Sequence, residues 1–458
     1  MIADLKPYPE YKESGSPWLR QVPAHWNLPR LGSVFRERGE TNEQKEITQV
    51  LSVLKDIGVI RYEDKGNIGN KKSEDIGRYK IVRPDDIVLN CMNVIIGSVG
   101  RSRHTGCLSP VYYVLTRRAP ADNSQYLAAV FSAKPFQLNL VRIGNGILAH
   151  RMRIPMELLK CELFPNPIPS EQTAIVRFLD WANGRLERAI RAKRKVIALL
   201  NEQKQAIIHR AVTRGLDPSV PLKPSGIAWL GKMPHHWEVR KVREVADIVN
   251  GYPFDSRLFT LTAGYPLIRI RDLNREQTAV RYRGPFVEAA RVTPGDLLVG
   301  MDGDFNVGTW RGEEPGLLNQ RMCLVRCRVP LTTNYLRFVL PRPLREINDL
   351  TYTTTVKHLA SSQVERISFA SPPMYEMRAI VHHAEEVTKA FETTTSRLVR
   401  EITLLHEYRT RLVADVVTGK LDVREAAALL PDKAAPDTIE DDTDPSLDPE
   451  AADEEAAV

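Results

Sequence analysis

Two glycine-bounded loops, Gly97-Ser98-Val99-Gly100 and Gly303-Asp304-Phe305-Asn306-Val307-Gly308, carry or adjoin side chains suited to the edges of nucleic-acid bases. Asn93, Arg101, Arg103 and His104 flank the first, and Asp302, Asn306 and Arg311 lie in or beside the second. Asn145, His150 and Arg151 come later in the first half of the chain. In the second half, Arg269 and Arg271 precede the loop, and Asn319, Gln320, Arg321, Lys357 and His358 follow it. A guanidinium can form two parallel hydrogen bonds to guanine, an Asn or Gln amide can do so to adenine, and Lys or backbone amides hold phosphates. The expected DNA-contact set is therefore Asn93, Arg101, Arg103, His104, Asn145, Arg151, Arg269, Arg271, Asn306, Arg311, Gln320, Arg321 and Lys357. Any one of them, taken alone, is better explained as solvated loop surface, and it is the set that points to contact.

Catalytic signatures are missing where they would be needed. Methyl transfer to an adenine amine requires an Asn/Asp-Pro-Pro-aromatic loop. The nearest string, Asn166-Pro167-Ile168-Pro169, lacks the aromatic and reads as a helix breaker. No G-x-x-x-x-G-K-[ST] phosphate loop is present, and no His/Asp/Glu grouping suggests metal-assisted hydrolysis. Cys91, Cys107, Cys161, Cys323 and Cys327 are sparse and unpaired, without C-x-x-C spacing. They are expected to be reduced, with Cys323 and Cys327 on one strand face in a core. No metal and no cofactor are expected in this chain.

Charge points to a polyanionic partner. The chain carries +7 overall, but Pro431 to Val458 holds 11 acidic residues against one Lys, which leaves +17 on residues 1–430. A basic body gains affinity for phosphates by releasing their condensed counterions. No apolar run approaches the roughly 20 residues that span a bilayer, and the chain starts without signal-peptide or transit character. A cytoplasmic protein with no membrane partner is expected.

The elements that would position these groups emerge from an internal duplication. At a shift of 211, Lys12, Ser14, Gly15, Trp18, Leu19, Pro23, His25, Trp26 and Val34 fall on Lys223, Ser225, Gly226, Trp229, Leu230, Pro234, His236, Trp237 and Val245. At a shift of 205, Pro167, Glu171, Ala174, Ile175 and Val176 fall on Pro372, Glu376, Ala379, Ile380 and Val381. The far end agrees, with Leu199, Leu200, Glu202, Val212, Thr213, Leu216 and Asp217 on Leu404, Leu405, Glu407, Val417, Thr418, Leu421 and Asp422. Between the matched blocks lie stretches of roughly 130 residues without comparable likeness. The edges do one mechanical job twice, and the middles are free to recognise different things. The indoles and His25 and His236 are read as packing anchors.

Glu171 to Thr213 contains no proline, and Ile175, Leu179, Ala182, Leu186, Ala189, Val196, Leu200 and Ile207 follow a heptad seam. The second copy gives Ile380, Ala384, Val387, Phe391, Thr394, Leu398, Leu405 and Leu412 in the same register. Each would form a helix about 64 Å long. Ser170 with Glu171 supplies an N-cap and a first-turn acid, and Gly215 and Gly419 stand where a left-handed residue closes the last turn. Ile175, Leu179, Leu186, Leu200 and Ile207 are expected to pair with Ile380, Val387, Phe391, Leu398, Leu405 and Leu412. A helical hairpin within one domain and a dimerising coiled coil fit the seams as well.

The middles read as mixed β. Strands are expected at Ile81-Val82, Ile87 to Leu89 and Val111 to Leu115, then at Pro266 to Ile270, Asp296 to Val299 and Met322 to Val325. Pro84-Asp85-Asp86 and Pro294-Gly295-Asp296 turn the chain before comparable apolar triplets. A short strand is also expected after each Trp, at Leu28-x-x-Leu31 and Val239-x-x-Val242.

Together these features resemble the specificity subunit of Type I restriction-modification systems over about residues 12–423. Its Gly-x-x-Pro-x-x-Trp segment matches Gly231 to Trp237 in full, while the first copy has Arg20 for the glycine. Its proline-rich lead into Glu-Gln-x-x-Ile matches Pro167, Pro169, Glu171, Gln172 and Ile175, with Met377 replacing the glutamine in the second copy. Ala211 to Asp217 and Val416 to Asp422 match its closing segment. The resemblance implies an α+β fold with a pseudo-twofold internal repeat. It comprises recognition domains at 1–168 and 215–370 and long antiparallel coiled-coil-like spacer helices at 169–214 and 371–423, and composition rather than resemblance marks 424–458 as an acidic disordered tail. The resemblance further implies a non-catalytic subunit whose domains each bind half of an asymmetric double-stranded DNA target. The implied partners are two DNA adenine methyltransferase (modification) subunits and restriction motor subunits, which would carry S-adenosylmethionine, ATP and Mg. The residues alone leave open a coiled-coil scaffold or a self-contained restriction enzyme with an unfamiliar site.

Overall fold

The computed structural model describes residues 5–66, 71–146, 152–350 and 357–431 of a mixed α+β chain. His150, Arg151 and residues 432–458 lie outside the described residues, while Arg424–Ala428, expected within the disordered tail, form a short helix that buries Ala426 and Ala427 in the first unit's core. The chain divides into two compact units, Met1–Ala192 with Glu401–Val458, and Lys193–Arg400.

In the first unit β1 (Phe35–Glu37), β2 (Ile87–Asn90), β3 (Val99–Arg101) and β4 (Tyr112–Arg117) form an antiparallel sheet in the order β1-β4-β2-β3. In the second, β5 (Ala246–Asn250), β6 (Leu297–Gly300), β7 (Val307–Thr309) and β8 (Met322–Cys327) repeat it as β5-β8-β6-β7. Register is shared too: Leu89 faces Tyr113 as Val299 faces Cys323. The middles, unlike in sequence, are therefore alike in fold.

Burial on both sheet faces explains the apolar triplets. Ile87 and Leu89 join a core that contains Trp26 and Ile175, while Val88 points the other way onto Leu51, Val82, Leu108 and Val114. Leu297 and Val299 likewise join the core around Trp237, and Leu298 packs on Leu267, Trp310 and Leu317. A strand covered on both faces needs no polar alternation. Cys323 and Cys327 do face one core, and burial pushes the Cys323 thiol up to about 12.

Helices α1 (Ser124–Ser132) and α3 (Pro330–Val339) follow β4 and β8 at equivalent places. The long helices are α2 (Pro169–Arg214, 46 residues) and α4 (Met374–Val417, 44 residues). Pro169 occupies the first turn of α2, where its missing N–H costs nothing, so Ser170 lies inside the helix and is not its N-cap. Leu31 and Val242 each open a helical turn, Leu31–Val34 and Val242–Val245, in place of the expected strand end, whereas Val239 lies in strand Glu238–Lys241.

Seam residues Ile175, Leu179, Leu186, Ile380 and Leu412 are buried, and Leu200, Ile207, Val387, Phe391, Leu398 and Leu405 are half-buried. Val196, expected in the seam, is 44% exposed. In the first unit Ile175, Phe178 and Leu179 of α2 share a core with Leu412, Val416 and Val417 of α4. In the second, Ile208, Ala211 and Val212 of α2 share one with Met377, Ile380 and Val381 of α4. Each unit thus takes the start of one long helix and the end of the other. Among the described residues no helix is long and apolar enough to cross a membrane.

The duplicated blocks clasp these helix ends. Trp26, fully buried, donates from Nε1 to Glu171 Oε1 at 2.9 Å, and His25 Nε2 lies 2.8 Å from Oε2. Trp237 donates to Glu376 Oε2 at 2.9 Å, with His236 Nε2 2.6 Å from Oε1. Burial pushes the Glu376 carboxyl up, but hydrogen bonds from Trp237, His236 and Tyr375 outweigh it and hold the group below the ordinary carboxylate range. The first copy adds Tyr8, whose hydroxyl donates to Glu171 Oε1 at 2.8 Å.

The Gln172/Met377 difference also has a local cause. Gln172 is buried and accepts from Asn123 N at 2.7 Å while donating to Asn166 Oδ1 and Pro167 O, both at 2.9 Å. Asn123 caps α1. Before α3 stands Val329, which has no capping side chain, and Met377 packs into the apolar core instead.

Candidate nucleic-acid interface

Antiparallel pairing gathers loops at the two ends of each sheet. In the second unit one end carries Gly251 and Tyr252 after β5, Gln320 and Arg321 before β8, Met301 and Asp302 after β6, and Asn306 before β7. Lys357 and His358 join it, since Gly303 N donates to Lys357 O at 3.2 Å and Asp302 bridges His358. In the first unit the matching end carries Met92 and Asn93 after β2, Ser98 before β3 and Val111 before β4. Asn145 and Arg153 pair there, and Ile154 N donates to Cys91 O at 2.9 Å, as Leu359 N donates to Met301 O at 2.7 Å.

The expected DNA-contact residues accordingly divide. Asn93, Asn145, Asn306, Gln320, Arg321 and Lys357 lie at these loop ends. Arg101 closes the other end of β3, with Arg103 and His104 past it, and Arg311 lies past the other end of β7, so the two sets do not share a surface within their units. Arg101 is committed to Asp85 at 2.7 Å, and Asp85 also accepts from Ser124 Oγ at 2.7 Å, which ties the turn before β2 to α1. The Ser124 hydrogen bond and Arg101 together hold the Asp85 carboxyl below its ordinary range against the opposing effect of burial. Arg269 is bound at Nε to the fully buried Asp272 at 3.2 Å, while Arg271 is exposed. Lys357 donates to both Asn348 O and Asn348 Oδ1 at 2.8 Å.

One ionic grouping stands out at the exposed end of the second unit. Asp302 Oδ2 accepts from Arg321 Nη1, and Asp302 Oδ1 lies 2.8 Å from His358 Nδ1. Burial pushes the Asp302 carboxyl up, but the bonds from His358 and Arg321 outweigh it and hold the group ionised below the ordinary range. The Arg321 and His358 side chains remain 62% and 63% exposed. Tyr252, half exposed beside Phe254, and Arg153, which stands in the first unit at the place His358 takes in the second, escaped the sequence reading. Only the strand registers reveal them. Among the described residues no grouping of three His, Cys, Asp or Glu could hold a metal ion.

The family described as Type I restriction modification DNA specificity domain matches residues 234–404. The Escherichia coli Type I restriction enzyme EcoBI specificity subunit is 36% identical over 187 residues, which cover 40% of this chain and 39% of that relative. The Type I restriction enzyme MjaVIII specificity subunit of Methanocaldococcus jannaschii is 22% identical over 433 residues, covering 88% of this chain and 95% of that one. The fold is similar to a solved chain from a study of complex assembly and conformational transition in the type I R-M system. There the TM-score is 0.62 at 14% identity, across 87% of this chain and 99% of the other.

Proposed function

We propose that the chain is a specificity subunit of a Type I restriction-modification system, whose two units each read one half of an asymmetric, gapped double-stranded DNA target, a reading supported by the partial family match and the similar fold. The observation that carries this reading is the pair of sheets with one strand order and different side chains at the same exposed end. A common scaffold keeps backbone geometry constant, while base readout changes with the side chains it presents.

The chain supplies an address, and the reaction belongs to its partners. These are two adenine-N6 methyltransferase subunits using S-adenosylmethionine, and motor subunits using ATP and Mg, in the cytoplasm. Helices α2 and α4 act as an antiparallel, coiled-coil-like spacer between pseudo-twofold related recognition domains, and they set the gap between half-sites. Exposed apolar residues along them, Val196 and Leu199 on α2 and Leu404 on α4, support their use as a docking surface for the modification subunits.

The +17 body supplies the sequence-independent part of binding. DNA affinity of the complex with its modification subunits is expected to fall roughly 1000-fold or more between 50 and 200 mM salt. A titration at several salt concentrations checks this. Affinity independent of salt would support the scaffold reading, and modification or cleavage by the purified chain alone would support the enzyme reading.

A further inference from the structure

We infer that Arg321 is the guanine-reading residue of the second recognition unit, with Asp302 as its positioning residue, and that the register-equivalent positions of the first unit carry no such pair. The inference rests on the DNA-reading function proposed above and deepens it by assigning one base.

Three observations converge. Arg321 is anchored by one edge only: Nη1 donates to Asp302, and Nε and Nη2 have no partner among the described residues. The guanidinium therefore keeps a donor-rich edge directed away from its carboxylate. Two parallel donors match guanine O6 and N7 in the major groove. A fixed planar fork loses less freedom on forming such a pair than a flexible ammonium would.

Asp302 is also built to hold this arm. Its other oxygen takes His358 Nδ1 at 2.8 Å, and the carboxylate itself is only 11% exposed. Both oxygens are thus occupied, and the carboxylate presents little bare charge to DNA phosphates.

Register then gives the contrast with the first unit. Gly300 faces Met322 as Asn90 faces Tyr112, so Arg321 and Asp302 correspond to Val111 and Met92. Val111 is 39% exposed and apolar, and Met92 offers no carboxylate. One scaffold position therefore carries a buttressed arginine in one unit and an apolar side chain in the other.

The test is adenine-modification mapping in cells carrying the complete system with wild-type, Arg321→Ala, Arg321→Lys or Asp302→Asn chains. The wild-type map defines the two half-sites. Arg321→Ala and Arg321→Lys are expected to relax a single position, a guanine in wild-type DNA, by roughly ten- to hundredfold in discrimination. The other half-site should stay as strict as before. Asp302→Asn should relax the same position less.

Uniformly reduced modification with all bases still strict, rescued by Arg321→Lys, would overturn the inference and make Arg321 a phosphate contact. Strict recognition throughout in Arg321→Ala would overturn it as well. A wild-type map without a gapped motif would instead overturn the underlying DNA-reading function. Where Arg321→Ala fails to assemble, Arg321→Lys and Asp302→Asn decide the matter by the same readout.

Discussion

Four residues inserted after Ala192 in α2 are expected to abolish modification of the native target while both compact units remain folded. Four residues add about 6 Å of rise and advance the helix by about 40° beyond a full turn. The start of α2 is fixed in one core by Ile175, Phe178 and Leu179, and its end in another by Ile208, Ala211 and Val212. Helix α4 enters the same two cores in the opposite order, through Ile380 and Val381 and then Leu412 and Val416. Lengthening α2 alone leaves the two seams unequal, so no register satisfies both ends. A matching insertion after Arg400 in α4 restores equality and should recover modification, now at half-sites about two base pairs further apart at ~3.4 Å per step. Adenine mapping reads both outcomes. An unchanged gap in the doubly lengthened protein would mean that the helices do not set the spacing.

Gly419→Ala is expected to lower stability by about 3 kcal/mol, through left-handed strain and overpacking together. Gly215→Ala should cost about 1 to 2 kcal/mol, through strain almost alone. Both glycines close a long helix in the left-handed region, with φ of 77° and 76°. Their surroundings differ. A Cβ at Gly419 would lie 2.3 Å from Pro23 Cδ and 3.2 Å from the Trp26 ring. At Gly215 the nearest atom is Trp237 Cζ2 at 3.3 Å, which a small ring displacement relieves. The helix ends therefore abut the clasps that hold Glu171 and Glu376. Calorimetric unfolding of the two variants beside the parent measures the difference, and a Gly419→Ala loss no larger than that of Gly215→Ala would refute the close packing.

The sequence exposed what is repeated by identity and hid what is repeated only by shape. Trp26 and Trp237 recur because each must fill a core and reach a carboxylate, two demands that few side chains satisfy. Ile87 to Leu89 and Leu297 to Val299 recur as apolar runs, for which any branched residue serves once both faces are covered. Their common strand order was therefore invisible to residue matching. Helices α1 and α3 went unseen because two to three turns are too short to establish a helical period.

The candidate interface was legible in residue types but not in placement. Asn93 and Arg101 are eight residues apart and adjoin the same glycine loop, yet β3 carries them to opposite ends of the sheet. Arg321 and Asp302 meet across paired strands, and only the register of β6 against β8 brings them together. Pairing partners distant in sequence leave no local pattern. Val196 failed for a related reason: heptad spacing alone cannot say which side of a long helix meets its partner where neither recognition core covers it.

The most direct measurement of the proposed two-part DNA reading is a genome-wide map of N6-methylated adenines in cells carrying the complete system, with this gene present, deleted and restored. The predicted result is an asymmetric, gapped motif that disappears on deletion and returns on complementation. Adenine modification at the same motif in the deletion strain would contradict it.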